Sequence, residues 1–222
     1  MQIKYLGHAS FFIKTKDLPA GRQGARVVTD PYDPSIGMKF PKTEGDIVTV
    51  SHSHPDHSKA NQVQGDPLLI DWPGEYEKNG VRVFGYKSYH DKKKGEERGE
   101  NILFKIESEG ISVLHCGDMG VLPDDKLKDE IGEVDILLVP VGGFYTIDAG
   151  EAIELIKQIE PAIVIPMHYN HPKLDQKVFK NLTTLDEFVK KFDGPKAEPA
   201  DQLTVKKEDL AEEPHLVVLN IS

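Results

Sequence analysis

The chain is poor in cysteine, with Cys116 alone in 222 residues. One thiol cannot close an internal disulfide, which excludes a disulfide-framed secreted scaffold and a zinc ribbon built on four cysteines. Long apolar runs are missing too. The longest, Ile136–Val141 and Ala162–Met167, fall far short of the roughly 18 residues that span a bilayer. The opening residues Met1–His8 carry Lys4 inside their apolar stretch and lack a small-residue cleavage site. No secretory signal is therefore expected, and a reducing cytoplasm is the expected compartment. Positive charge is also short: 27 Lys and Arg face 37 Asp and Glu, a formal −10. That balance argues against a broad nucleic-acid groove or an anionic membrane as partner. No Ser/Gly/Pro-rich linker and no repeat divides the chain, so a single domain over residues 1–222 is expected.

Short β-type runs dominate what is present: Gln2–Leu6, Ser10–Thr15, Ala25–Thr29, Asp46–Val50, Val81–Tyr86, Asn101–Glu107 and Ile111–Leu114. Two later candidates are Gln202–Val205 and His215–Ile221. Helices are few. Ala152, Ile153, Ile156 and Ile159 form one apolar face over Ala149–Ile159 before Pro161 stops the helix, and Leu185, Phe188, Val189 and Phe192 do the same over Thr184–Phe192. Leu18–Gly24 and the charge run Asp91–Glu100 read as exposed loops.

Several apolar runs end in histidine or aspartate. IVTV leads into Ser51-His-Ser-His-Pro-Asp-His57, VFGYKSY into His90, ISVL into His115-Cys-Gly-Asp118, and AIVIPM into His168. In layered α/β folds functional groups gather at the carboxyl ends of buried strands, so one site built from four strand ends is expected. His52 and His54 are two apart, and on an extended segment both imidazoles project to one side, where they can meet one metal. Pro55 suits the first turn of a helix beginning at once, which would turn Asp56 and His57 inward from another direction and offer a second metal position. Two ions about 3.5–4 Å apart can share a bridging hydroxide as nucleophile.

His52-x-His-x-Asp-His57 after an apolar strand, Gly117-Asp118 after a later one, and Pro166-Met-His168 together resemble the metallo-β-lactamase superfamily. More narrowly the chain is similar to the compact branch containing L-ascorbate-6-phosphate lactonase, through Thr29–Pro34, Pro73–Glu77, Gly99–Asn101, Pro140–Gly143 and Tyr145–Ala149. The resemblance covers about residues 1–192. It implies an α/β fold, a four-layer αββα sandwich of two mixed sheets, with the site at one edge. It also implies a ligand set: His52, His54 and a third histidine for one metal, Asp56, His57 and His168 for a second, and Asp118 bridging. For the third histidine, His90 stands where the family puts it, while His115 lies three residues before Asp118. The reading favours His90 as ligand, with His115 either orienting a ligand by hydrogen bond or buried as a satisfied core histidine.

The resemblance implies two divalent ions, zinc first and manganese or iron as alternatives. Members that carry out di-iron redox chemistry tend to replace a motif histidine with glutamate; this chain keeps His54, which favours hydrolysis. The expected function is hydrolysis of a small ester, lactone or phosphorylated metabolite, with Asp56 in an acid/base role. A phosphodiesterase or nuclease of the same superfamily, and a non-catalytic metal-loaded binding or sensing protein, remain alternatives. Phe144 and Tyr145, after Gly142-Gly143, either contact the substrate or close a sheet edge. Lys92-Lys-Lys94 either attracts a phosphate or carboxylate or is solvated surface. His8, His171 and His215 lack a motif context and read as structural or surface, although His171 is near enough to His168 to line the pocket. Cys116 reads as a small buried hydrophobe. Self-association is left open.

Overall fold

The computed structural model describes residues 1–17 and 23–222, so most of the expected Leu18–Gly24 loop lies outside the described residues. Two mixed sheets face each other. The first has the order β14-β1-β2-β3-β5-β7, built from Leu203–Thr204 (β14), Gln2–Gly7 (β1), Ser10–Lys14 (β2), Arg26–Thr29 (β3), Ile47–Thr49 (β5) and Leu68–Ile70 (β7). The second has the order β15-β13-β12-β11-β10-β9-β8. Its strands are His215–Leu216 (β15), Ile163–Met167 (β13), Ile136–Pro140 (β12), Ile111–His115 (β11), Glu100–Ser108 (β10), Val81–Tyr89 (β9) and Gly74–Lys78 (β8). Thr43–Glu44 (β4) and Val63–Gln64 (β6) pair separately.

The sequence pattern explains the layering. β11, β12 and β13 are parallel neighbours and every residue in them is buried, as expected of strands covered on both faces. In the first sheet neighbouring residues go opposite ways: Val27 and Ile47 enter the core between the sheets, while Val28 and Val48 enter a second cluster on the far side. That far cluster is covered by Tyr32, Met38, Phe40 and Leu174 from loops, by Ile36 from a short 3-10 turn at Pro34–Ile36, and by Phe179 from α3 (Gln176–Phe179). The helical layer there is thin.

The second sheet is covered by true helices. α2 (Ala149–Ile159) starts at Asp148, whose side chain accepts from the Gly150 and Glu151 amides while Glu151 reaches back to the Asp148 amide. Its buried Ala152, Leu155 and Ile156 pack towards β12, and α4 (Leu185–Lys191) lies beside it. α1 (Asp125–Ile131) is one that periodicity did not mark, because only Ile131 of it is buried. Among the described residues no helix is long and apolar enough to cross a membrane.

Two expectations are corrected. No helix begins at Pro55: residues 51–57 form turns, with the His57 amide on the His54 carbonyl (3.0 Å) and the Lys59 amide drawn to the Pro31 carbonyl (2.7 Å). The second, tertiary bond takes the Lys59 donor that a helix starting at Pro55 would need to continue. The late strands are shorter than expected, because Ala200 and Leu219 meet only as an isolated bridge.

Close backbone approach fixes the strand ends. A Cβ on Gly142 would lie 2.0 Å from the His168 carbonyl oxygen. Gly142→Ala is expected to destabilise the fold by about 2 kcal/mol or more and lower Tm by roughly 4–8 °C. Calorimetry checks it, and an unchanged Tm would mean this contact does not constrain the strand end.

Candidate metal centre

Six strand ends on one edge supply the site. β1 delivers His8, β3 Asp30, β5 the segment Ser51–His57, β9 His90, β11 the turn to Asp118, and β13 His168. Each position follows from its backbone. The His168 amide donates to the His8 carbonyl (2.8 Å), and both residues adopt left-handed φ, +54° and +57°. The Tyr5 hydroxyl donates to the same carbonyl (2.7 Å). Asp118 is set by Asn101, whose Oδ1 accepts the Asp118 amide (2.9 Å) while its Nδ2 donates to the Cys116 carbonyl (3.0 Å).

Two donor groups border the cleft, and a third, Asp30 with His52 and His57, lies behind them. Ligand atoms of His52, His54 and His90 lie within 4.8 Å of one another, and so do those of His8, Asp56, His57 and His168. Asp118 lies between them. Its Oδ1 is 3.2 Å from His57 Nε2, and its Oδ2 is 3.3 Å from His90 Nε2 and 3.2 Å from His168 Nε2. His57 Nε2 and Asp118 Oδ1 are buried without a hydrogen-bond partner among the described residues. Orphaned polar atoms of this kind carry a large cost, and imidazole nitrogens beside carboxylate oxygens are the donor set that zinc-like cations take. The residues fit a divalent metal.

Asp30 stands behind both groups. Its carboxylate accepts from the Ser51 amide (2.8 Å), the Ser51 hydroxyl (2.5 Å) and His57 Nδ1 (2.8 Å). The Ser51 hydroxyl, having spent its proton on Asp30, accepts from His52 Nδ1 at 3.0 Å. Both imidazoles thus keep their protons on Nδ1 and turn Nε2 toward the cleft, the orientation that supports a metal ligand. Electrostatics follow burial and charge. Burial lowers His52 to about 3 and His8 to about 4, helped by His57 in the first case and His168 in the second. Burial and His54 lower His90, against the pull of Asp118. His57 goes the other way: burial would lower it, but Asp118, Asp56 and Asp30 outweigh that and hold it well above the usual imidazole range. Asp118 and Asp56 lie well below the carboxylate range because neighbouring histidines outweigh burial.

His52, His54, Asp56, His57, His90, Asp118 and His168 are thus brought together. His115 lies outside both donor groups: its Nε2 donates to the Ala9 carbonyl (2.7 Å) and its Nδ1 accepts the Gly117 amide (3.3 Å), so it bonds the backbone of the turn before Asp118. Cys116 is fully buried beside it, and burial raises its thiol pKa. Tyr145 lines a cleft of about 430 Å³ with His54, Asp56, His90, Asp118 and His168. Phe144 is 54% exposed at the rim, with its ring 4.7 Å from that of Tyr145. His171 does not reach the cleft; its Nδ1 accepts the Lys173 amide (3.1 Å). His215 bonds the Glu213 carbonyl.

Sequence reasoning read His8 as structural or surface and gave Asp30, within Thr29–Pro34, no role of its own. His8 is buried and donates from Nε2 to Asp56 Oδ2 (3.1 Å), with its ring 4.1 Å from that of His168. Both residues follow β-type runs directly, KYLG into His8 and RVVT into Asp30. The strand-then-polar pattern that marked the other four ends marks these as well.

Two facing mixed sheets with histidines and aspartates converging at one edge define the αββα class of metal-binding scaffold. The chain belongs to the metallo-β-lactamase superfamily: the β-lactamase superfamily domain matches residues 2–168. A Thermotoga maritima member of known structure is 34% identical, covers 99% of each chain and superposes with a TM-score of 0.78. A UPF0173 metal-dependent hydrolase from Thermococcus onnurineus is 27% identical, over 89% of this chain and 94% of its own. Another from Carboxydothermus hydrogenoformans is 30% identical, over 77% and 85%. None of these three names a lactonase.

Two predictions follow from the buried network. Asp30→Asn is expected to weaken divalent-metal affinity about 10–100-fold, read by competition with a chelating dye; undiminished affinity would remove Asp30 from the support of the site. For His8, the unfolded chain binds a proton between about pH 4 and 6.5 and the folded chain does not. Acidification through that window therefore favours unfolding. In metal-free protein His8→Gln is expected to flatten the fall of Tm across it, whereas an identical slope would contradict the placement of a neutral His8.

Proposed function

We propose that this chain is a metal-dependent hydrolase that holds two divalent ions and cleaves a small ester, lactone or phosphorylated metabolite. The observation that carries this is the position of Asp118, whose carboxylate reaches His90 on one side and His57 and His168 on the other. His52, His54 and His90 would hold one ion, Asp56, His57 and His168 the second, with Asp118 shared. The nitrogen and oxygen donors favour zinc, with manganese or iron as alternatives. Ions bound there would lower the pKa of a captured water to about 7 and polarise the bond under attack. The names carried by the relatives from Thermococcus onnurineus and Carboxydothermus hydrogenoformans support the reaction class.

The protein's own groups divide the remaining work. Asp56 stays a carboxylate at neutral pH, keeps 23% of its side chain exposed to the cleft, and has one oxygen pinned by His8. In its acid/base role it would orient the attacking water by accepting a hydrogen bond from it, since a carboxylate held this far down is a poor store for the proton itself. Tyr145 spends its hydroxyl on the Val178 carbonyl (3.3 Å), so it offers substrate a ring face. His115 touches no reacting atom and holds the turn that presents Asp118. Asp30 and Ser51 hold His52 and His57 through Nδ1, the orientation that would present Nε2 to an ion.

The test is turnover of a lactone, a carboxylic ester, a phosphomonoester and a bis-phosphodiester by zinc- and manganese-loaded protein, wild type and Asp118→Ala. One activity, falling more than about a hundredfold in the variant, is expected. Turnover confined to the bis-phosphodiester would replace the small-metabolite reading with a phosphodiesterase. A folded, metal-loaded protein with no activity on any substrate would leave a binding role.

A further inference from the structure

The loop between β9 and β10 is a charge run, Asp91-Lys-Lys-Lys-Gly-Glu-Glu-Arg-Gly-Glu100, of a kind that solvent usually leaves loose. Here it is pinned. Asp91, directly after His90, is only 3% exposed. Its Oδ1 accepts the amides of Lys93 (2.7 Å) and Gly95 (3.0 Å), and its Oδ2 those of Glu97 (3.0 Å) and Arg98 (2.8 Å). The Gly99 amide closes onto the Gly95 carbonyl (3.0 Å) and the His90 amide onto the Gly99 carbonyl (3.1 Å). One buried carboxylate thus takes four backbone amides and ties the loop to the same strand end that carries His90.

The product of this tie is the position of Arg98. It is half-buried, lines the cleft beside His54, Asp56 and His90, and lies with its guanidinium carbon 5.8 Å from the Tyr145 ring centre. Its lysine neighbours face elsewhere: Lys92 pairs with Glu151, Lys93 with Glu97 (2.7 Å), and Lys92 and Lys94 line a separate pocket beside Leu122 and Asp124. Arg98 forms no ion pair among the described residues, in a chain where acidic residues outnumber basic ones 37 to 27. A guanidinium is always charged and carries five donors in a planar fork that matches a carboxylate or phosphate. Apart from histidine, Arg98 is the one cationic side chain among the described lining of this cleft.

We propose that Arg98 is the substrate anchor of this site, receiving an oxyanion group, carboxylate or phosphate, on the molecule to be hydrolysed. The inference rests on the hydrolase reading above and narrows its substrates to anionic small molecules. It also moves the anion-binding role from Lys92–Lys94 to Arg98. The cleft, at about 430 Å³, has the size of a small-molecule site. Tyr145 supports the guanidinium from one face and leaves the fork edge for the ligand. Asp91 acts as a positioning residue, setting the loop that carries the anchor.

The experiment uses zinc-loaded wild type, Arg98→Gln and Arg98→Lys. Substrates are the 4-nitrophenyl esters of succinate and of 3-phosphonopropionate, each as the free acid and with the distal acid methylated. Wild type is expected to favour each charged ester over its methylated partner in kcat/KM. Arg98→Gln is expected to cut that ratio by about ten- to a hundredfold, with Arg98→Lys between. The larger cut identifies carboxylate or phosphate as the group bound. A ratio unchanged by Arg98→Gln overturns the proposal. A second readout does not depend on turnover: the Arg98 Nε–H resonance of the zinc-loaded protein, titrated with glutarate, propylphosphonate and dimethyl glutarate. A saturable shift with either anion and none with the diester supports the anchor even if every ester is inert, in which case the hydrolase reading alone has failed. No shift with either anion counts against the anchor.

Discussion

A cluster of imidazoles and carboxylates held out of water at one sheet edge is the constraint on which the rest of the structure depends. Burial alone would drive His8, His52 and His90 neutral and push Asp30, Asp56 and Asp118 toward protonation. The cluster resolves this by proximity. His57 lies between Asp30 at Nδ1 (2.8 Å) and Asp118 at Nε2 (3.2 Å); these carboxylates strengthen its hold on a proton, while it and the neighbouring His115 and His168 keep the carboxylates low. Divalent ions would replace that proton with larger charges, and the orphaned Nε2 of His57 and Oδ1 of Asp118 are the atoms already turned toward them.

The sandwich exists to hold this edge still. Strands β11, β12 and β13 are buried along their whole length, so the residues that follow them leave the sheet from fixed points. The left-handed φ values of His8, Asp30 and His168 turn the chain sharply at three of those exits. The loop that carries Arg98 is tied by Asp91 to the strand end that also presents His90, so both side chains share one support.

Much of this was legible in the sequence. The helix Ala149–Ile159 was legible because an apolar face and a stopping proline agree there; its cap at Asp148 came only with the structure. The strand-to-histidine pattern led to four of the six strand ends and to the cleft. His8 and Asp30 were missed because neither lies in a dense motif, and their roles depend on partners far away in sequence, Asp56 and His57. Pro55 misled for the opposite reason: a local helix signal was overridden by the bond from the Lys59 amide to Pro31. Arg98 was hidden among lysines of the same charge, and only the fold separates the residue that faces the cleft from the lysines that face away from it.

The central claim is that two ions occupy this edge, one on each side of Asp118. Anomalous diffraction at the zinc absorption edge, on crystals grown with saturating zinc, tests it directly. The account predicts two peaks per chain, one among His52, His54 and His90 and one among Asp56, His57 and His168, with Asp118 between them. A single peak, or none, in crystals where these side chains keep the positions described above would contradict it.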